Sequence, residues 1–139
     1  MRARAWVPWV FFCQFAFAGE NTEVVEGFVS AFNEHDVDAM LEFAAPDMRW
    51  MSVSGDRISV ETSTHAELRA AMAGYFESTP GARAEIRSVS ECGRFVHTLE
   101  QAFWLSGGAE RSQCSMVVYE LIDETLQNVW YFPAHPCQA

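Results

Sequence analysis

The sequence contains no lysine, and all nine of its basic residues are arginine. A lysine is needed for a Schiff base with a carbonyl substrate and for the phosphate loop of nucleotide-binding proteins, so the chain has neither chemistry. The formal net charge is −10, and no basic cluster interrupts the acidic surface. Such a surface repels nucleic acid and anionic membranes, so the sequence predicts neither as a partner.

Repeats, linkers and low-complexity tracts are also absent from this chain of 139 residues. That length is sufficient for one domain with a single sizeable core. Half of the residues are hydrophobic and 14% are aromatic, a composition that argues against disorder. The sequence therefore indicates one folded domain.

Residues 1–18 have the pattern of a secretory signal peptide. Two arginines form a charged start, an apolar run follows, and Ala-Phe-Ala offers the small-x-small pattern of a cleavage site. The alternative is a buried N-terminal helix, although a proline and four aromatic residues make such a helix awkward. We expect export and removal of residues 1–18, leaving residues 19–139 as a periplasmic or secreted domain with no membrane segment.

Three cysteines remain after such a cleavage, in a compartment where disulfides persist. An odd number allows at most one internal bridge. If the last two strands pair through the turn at 122–126, position 114 lies opposite about position 135. The preferred bridge is therefore Cys114–Cys137, and the alternative is a set of buried thiols that behave as small hydrophobic side chains.

The pattern of apolar residues, caps and turns predicts three helices and six strands. The first helix starts at Asn21 or Thr22, and the second is capped by Asp36 and closed by Pro46. The third starts in a capping box formed by Thr64 and Glu67. Strands are expected at about 47–53, 58–61, 84–90, 94–105, 110–121 and 127–132. This order predicts one α+β domain whose helices cover one face of a curved sheet.

In this order of elements, the chain resembles the nuclear transport factor 2-like superfamily and, within it, the bacterial SnoaL-like (polyketide-cyclase-like) domain proteins. The resemblance is carried by VVEGFVSAFNEHDVDAMLEFAAPDMRW near the start and by the late strand pair YELIDETLQNVWYF. It covers essentially all of residues 19–139. It implies a cone-shaped, mostly antiparallel sheet covered on one face by three helices, an apolar pocket between them, and often a homodimer formed through the sheet.

The catalytic residues of one branch of this family are missing from the sequence. A ketosteroid isomerase would have a tyrosine where this chain has Phe28, an aspartate base where it has Ser52, and a second acid near Val117. The resemblance therefore implies the fold and the pocket but argues against a proton shuttle of that type.

The resemblance to this family also predicts which strand residues face the pocket. Every second residue of a strand faces the same side, and positions 111, 113, 115, 117 and 119 should face the interior. Gln113, Ser115 and Val117 are therefore expected at the pocket. Polar residues at inward positions need partners, and either a ligand or neighbouring side chains can supply them.

Glu100 shares a strand face with Thr98 and Trp104, and if that face is inward, it is the one carboxylate expected deep in the pocket. Desolvation there would raise its pKa and suit it to general acid or base chemistry. Two alternatives stay open: an ordinary ion pair with Arg111 on the next strand, or a solvated edge charge if the register differs by one residue.

Large aromatic side chains offer flat surface for a ring-containing ligand. Trp50, Trp104 and Trp130 are the candidates, although aromatic core is the commoner fate of such residues. Trp130 and Tyr131 point to opposite faces of their strand, so at most one of them lines the pocket.

The histidines suggest little metal chemistry. His35, Asp36 and Asp38 lie together in the turn between the first two helices, where a capping aspartate explains the pattern better than a metal does. His65 is expected to be solvated. His135, beyond the last strand, becomes a partner for Glu100 if the C-terminal tail folds back. No metal site and no cofactor is predicted.

The sequence thus favours a SnoaL-like domain that binds a small apolar or aromatic molecule, with catalysis open. One alternative is a cofactor-free lyase, isomerase or hydrolase that uses Glu100 as its general acid or base. Another is a structural or assembly partner whose pocket is filled by its own side chains.

Overall fold

The computed structural model describes residues 19–138 and shows one α+β domain with three helices and a six-stranded mixed sheet. The predicted signal peptide, residues 1–18, lies outside the described residues. The elements in chain order are α1 (Glu20–Asn33), α2 (Val37–Phe43), β1 (Ala44–Ser54), β2 (Arg57–Thr62), α3 (His65–Ser78), β3 (Arg83–Cys92), β4 (Phe95–Ser106), β5 (Ala109–Ile122) and β6 (Thr125–Tyr131). None of the described helices is long and apolar enough to cross a membrane.

The first helix begins two or three residues earlier than a local cap would place it. Gly19 is the N-cap of α1, and no side chain of its own segment caps the helix, so the prediction of Asn21 or Thr22 is wrong. The capping acceptor comes instead from β3, where the Glu91 carboxylate accepts hydrogen bonds from the Thr22 backbone N–H at 2.9 Å and from its hydroxyl at 2.7 Å. A tertiary contact therefore satisfies the helix start.

The second helix starts as predicted and ends differently. The Asp36 carboxylate accepts a hydrogen bond of 3.0 Å from the Ala39 backbone N–H, as an N-cap should. The helix ends at Phe43, and Pro46 lies inside β1 rather than closing α2. The pairing of β1 with β6 is interrupted between Ala44 and Arg49. Proline is tolerated in that irregular stretch because no ladder hydrogen bond is required of it.

The third helix has the predicted Thr64 cap, but the Glu67 side chain reaches Ser63. The Thr64 hydroxyl accepts a hydrogen bond from the Glu67 backbone N–H at 3.1 Å, while the Glu67 carboxylate accepts one from the Ser63 backbone N–H at 2.7 Å. The expectation that His65 is solvated is wrong. Its Nε2 lies 2.9 Å from the Ala44 carbonyl oxygen, which ties α3 to the start of β1.

The strands pair in the order β2-β1-β6-β5-β4-β3. β1 and β6 are parallel, and every other neighbouring pair is antiparallel. The register shifts within β1, within β3 and between β5 and β6, and irregularities of this kind bend a sheet. The fold class predicted from the sequence is confirmed, because the helices cover one face of this curved, mostly antiparallel sheet.

The core fills the space between α1, α2 and the inner sheet face. Val25, Phe28 and Met40 of the helices and Val117 and Leu126 of the strands are all at most 2% exposed. Close approach of α1 to α2 depends on Gly27, where an added Cβ would lie 2.6 Å from the Phe43 ring. The two helices therefore pack as a unit over the sheet.

The C-terminal tail continues from β6 alongside β5, where the Phe132 backbone N–H donates to the Met116 carbonyl oxygen at 3.0 Å. His135 and Cys114 exchange backbone hydrogen bonds of 2.9 and 2.8 Å. Beside them a disulfide joins Cys114 to Cys137, which is the pair that the sequence favoured.

Candidate functional site

A cavity of about 300 Å³ lies between α1, α3 and the inner face of the sheet. Tyr75, which is 37% exposed, and the exposed Gln113 stand where the cavity meets solvent. The apolar and aromatic part of its wall consists of Phe28, Val29, Phe32, Trp50, Met72, Tyr75, Ala84 and Ala102. The polar part consists of Glu100, Gln113, Ser115, Tyr119 and Tyr131.

Four of the residues expected at the pocket contribute to this wall. They are Trp50, Glu100, Gln113 and Ser115. Glu100 lies directly opposite Ser115 in the β4–β5 ladder, so the two share the inner face. The alternation along each strand therefore brings together the polar groups that the sequence placed there.

The other four expected residues lie outside the cavity wall. The Ser52 hydroxyl donates a hydrogen bond of 2.5 Å to the Glu61 carboxylate on β2, which holds it at the edge of the sheet. Val117 is fully buried and packs in the core beneath the cavity. Trp104 lies opposite Arg111, where the β4–β5 hairpin extends past the cavity. Trp130 lies on the opposite face, and Tyr131 lines the wall instead.

Glu100 is held by three hydroxyl groups. The Tyr119 hydroxyl donates to Oε1 at 2.5 Å, the Thr98 hydroxyl donates to the same oxygen at 2.8 Å, and the Tyr131 hydroxyl donates to Oε2 at 3.0 Å. The donors come from β4, β5 and β6, so three adjacent strands fix the carboxyl group. Glu100 itself is only 4% exposed.

Burial raises the pKa of the Glu100 carboxyl, because an ionised carboxylate loses its hydration there. The hydrogen bonds from Tyr119, Thr98 and Tyr131 oppose that shift without cancelling it. Burial and the neighbouring carboxylate also raise the pKa of Tyr119 and of Tyr131 well above the usual range of a phenol. Both phenols stay protonated, so Glu100 is the member of this cluster that can take up a proton.

The two other interpretations of Glu100 are wrong. Its cross-strand neighbour is Ser115, while Arg111 is exposed and lies opposite Trp104. Among the described residues, Glu100 forms no ion pair. Because Glu100 is buried, it is also not a solvated edge charge.

His135 does not act on Glu100, because the tail continues alongside β5 and does not fold back to the cavity. Its side chain is exposed, and its Nδ1 lies 3.0 Å from the Pro136 carbonyl oxygen. It pairs with Cys114, which points to the face opposite Ser115. The sheet therefore separates His135 from the cavity.

The turn between α1 and α2 has a structural explanation. His35 stacks on Phe76 with ring centroids 4.2 Å apart and places Nε2 2.7 Å from the Ala82 carbonyl oxygen. Asp36 caps α2, and Asp38 pairs with Arg69 at 2.7 Å. Within residues 19–138, no group of three or more histidine, cysteine, aspartate or glutamate side chains could hold a metal ion.

Tyr119 is a site residue that the sequence pattern also indicates. Its position belongs to the inward series that contains Gln113 and Ser115, and a buried tyrosine hydroxyl needs a partner. Glu100 supplies that partner from the next strand. The helix residues Met72 and Tyr75 gave no comparable signal, because a helical apolar stripe does not show which of its members face a cavity.

Comparison with known proteins agrees with this fold. A family model described as "SnoaL-like domain" matches residues 25–125. No curated protein matches the chain.

Solved structures with the same fold share little sequence with the chain. A putative polyketide cyclase from Xanthomonas campestris has 16% identity and a TM-score of 0.65, over 82% of this chain and 90% of that one. An LEH-like epoxide hydrolase from M. tuberculosis also has 16% identity, with a TM-score of 0.67, over 81% of both chains. A protein with a ketosteroid isomerase-like fold from Catenulispora acidiphila, in complex with trimethylamine, has 11% identity and a TM-score of 0.69, over 80% of this chain and 85% of that one. At these identities the likeness shows the fold alone.

Proposed function

Because this chain belongs to the SnoaL-like domain family, we propose that it binds a small apolar or ring-containing molecule between α1, α3 and the sheet. The observation that carries the proposal is a cavity of about 300 Å³ with mostly apolar and aromatic walls and a buried carboxyl group among them. This size lies at the small end of known ligand pockets, and the mixture of an apolar wall with few fixed polar groups is typical of them.

A structural or assembly role with a filled pocket fits these observations less well. The aromatic side chains of α1, β1 and β6 border the cavity and do not close it. A domain that used its pocket only as core would also gain nothing from Glu100, since a buried carboxyl costs stability. The polar cluster is easier to explain if it meets a ligand.

Similar folds hold different chemistry. The neighbours are described as a putative polyketide cyclase, an LEH-like epoxide hydrolase and a complex with trimethylamine. Those descriptions belong to those proteins. They support a small-molecule ligand for this chain in general and do not identify it.

The second candidate function is proton transfer by Glu100, in a cofactor-free isomerase, lyase or hydrolase. It is favoured by one specific observation, the raised pKa of a buried carboxyl that lines the cavity. A general acid or base works best when its pKa is near the operating pH, and desolvation moves Glu100 in that direction. Tyr119 and Tyr131 would hold the carboxyl in place and keep their own protons.

A steric block in the cavity tests the binding proposal. Ala102 lines the cavity, whereas Gln101, the preceding residue on β4, points to the opposite face. In a panel of ring-containing compounds followed by ligand-observed NMR, we expect A102W to weaken binding by at least about tenfold, which is 1.4 kcal/mol. The Q101W variant adds the same side chain outside the cavity and should bind as the wild type does.

Analysis of the same mixtures for reaction products separates binding from catalysis. If Glu100 transfers a proton, E100Q should lower turnover by about 10²-fold or more. If the domain only binds, no product forms with either protein. Equal affinity of A102W and wild type, or no binding by any member of the panel, would contradict the proposed cavity.

A further inference from the structure

We propose that the ligand of this cavity is an organic cation, an ammonium group carried on an apolar or aromatic body. The inference rests on the proposed function, because it names the class of molecule that the same cavity takes. It starts from a charge that the described chain leaves unbalanced. Glu100 is 4% exposed, and all three of its hydrogen-bond partners are neutral hydroxyl groups.

The other buried glutamate of the sheet shows how this chain balances a charge elsewhere. Glu120 is 7% exposed, and its carboxylate pairs with Arg94 at 2.9 Å and accepts a hydrogen bond from Asn128 at 2.8 Å. Glu100 has no such partner among residues 19–138, and no basic residue lines the cavity. Arg111, the partner considered from the sequence, is exposed and lies opposite Trp104. An ionised Glu100 therefore has no countercharge among the described residues, and a ligand is one source of it.

A cationic ligand would supply what the carboxylate lacks. An ionised carboxylate has about four acceptor positions, and three are filled by Thr98, Tyr119 and Tyr131. These bonds fix the carboxylate but leave its charge uncompensated in a desolvated site, which is costly. A cation in the cavity compensates that charge, and a protonated amine can also donate to the remaining acceptor position.

The aromatic walls favour the same class of ligand. The Trp50 and Tyr131 rings stack with centroids 5.0 Å apart and planes 5° apart, and the Phe28 ring lies 6.0 Å from Trp50. Aromatic faces attract cations, and desolvation strengthens that attraction. An anionic ligand would meet the Glu100 carboxylate and a protein of net charge −10, so the same features disfavour it.

A pair of ligands with the same shape and different charge tests the inference. Phenyltrimethylammonium and tert-butylbenzene differ at one atom, a charged nitrogen in place of a carbon. We expect wild-type protein at neutral pH to bind the cation at least about tenfold more tightly than the neutral isostere. The two dissociation constants can be measured by ligand-observed NMR on the purified protein.

Two variants, each of which replaces one buried glutamate by glutamine, test whether Glu100 causes the preference. E100Q should lower the preference for the cation at least about fivefold, because its amide is neutral, and the aromatic walls account for the preference that remains. E120Q removes a buried carboxylate of the adjacent strand outside the cavity and should keep the preference. Circular dichroism verifies that each variant is folded.

The possible results distinguish the cavity, the cationic ligand and the role of Glu100. Equal binding of the two ligands to wild-type protein overturns the cationic ligand and leaves the proposed apolar cavity standing, and this comparison needs no variant. Failure of both ligands to bind contradicts the cavity as well. A preference as large in E100Q as in wild type overturns the role of Glu100.

Discussion

An ionised Glu100 costs the folded protein stability, and that cost depends on pH. Burial raises the pKa of this carboxyl above its value in the unfolded chain, so the folded state binds more protons between the two pKa values. Stability from this group is therefore highest below the unfolded pKa and falls as the pH rises through the folded pKa. The group is retained at a cost, as residues that serve binding or catalysis often are.

The E100Q variant tests this linkage. Relative to wild type, E100Q should become more stable as the pH rises from acidic to neutral, because its amide does not ionise. Its free energy of unfolding should therefore increase relative to that of wild type. Urea denaturation of both proteins across that range measures the difference. E120Q controls for the loss of one buried carboxylate elsewhere. A relative stability of E100Q that stays constant or declines with pH would show that Glu100 is not penalised by burial.

Alternation of side chains along the strands predicted part of the candidate site. It placed Glu100, Gln113 and Ser115 on one face, and all three line the cavity. It could not distinguish the cavity from the core below it, and Val117 belongs to the core. Nor could it show that Ser52 has its own acceptor in Glu61, since that pairing depends on how β2 returns along β1.

Among the elements, local signals were reliable where the partner is local. Asp36 and Thr64 cap the helices that follow them, as their sequence positions indicate. The start of α1 was misplaced because its capping carboxylate, on Glu91, is 69 residues away in the sequence. The end of α2 was misplaced because Pro46 is accommodated by an interruption in strand pairing.

We propose that the chain is exported and that residues 1–18 act as its signal peptide. The charged, apolar and small-residue order of this segment supports export. The Cys114–Cys137 bridge, which fastens the tail to β5, fits an oxidising compartment. The pattern of residues 1–18 and the disulfide are independent observations that support the same proposal.

Intact-mass measurement after expression of the full chain in a bacterium tests the export. The periplasmic fraction should contain a protein that starts at Gly19 and lacks the pair of hydrogens that one disulfide removes. Replacement of Ala18 by arginine should block the cleavage and leave a longer precursor. A cytoplasmic product with its N-terminus intact and its cysteines reduced would contradict the proposal.

For the whole molecule, the order of helices and strands was enough to predict the fold, because a curved sheet with helices on one face leaves few arrangements for that order. The ligand could not be read from the same pattern. Its chemistry depends on which side chains meet across β4, β5 and β6, and especially on Tyr119 and Tyr131 meeting Glu100. Those contacts combine positions that no local motif connects.

The outer sheet face carries exposed apolar side chains that one copy of the chain leaves uncovered. Ile58, Val60 and Met116 are 60%, 50% and 44% exposed. Strand register places them opposite Val53, Met51 and Leu99, on the face away from the helices. We propose that this face forms a homodimer, since exposed apolar patches on a sheet often mark an interface. A specific interface of standard size would bury about 800 Å² of each subunit.

A charge placed on that face should separate the subunits. Light scattering after gel filtration is expected to give a dimer for wild type and a monomer for M116E, because a buried unpaired carboxylate opposes association. V89E is the matched control: Val89 is 41% exposed but lies opposite Thr98, whose side chain is on the helix-covered face. The cavity is on that covered face, so M116E should bind its ligand as the wild type does. A monomeric wild type would refute the dimer, and a V89E monomer would show that the loss is not specific to the outer face.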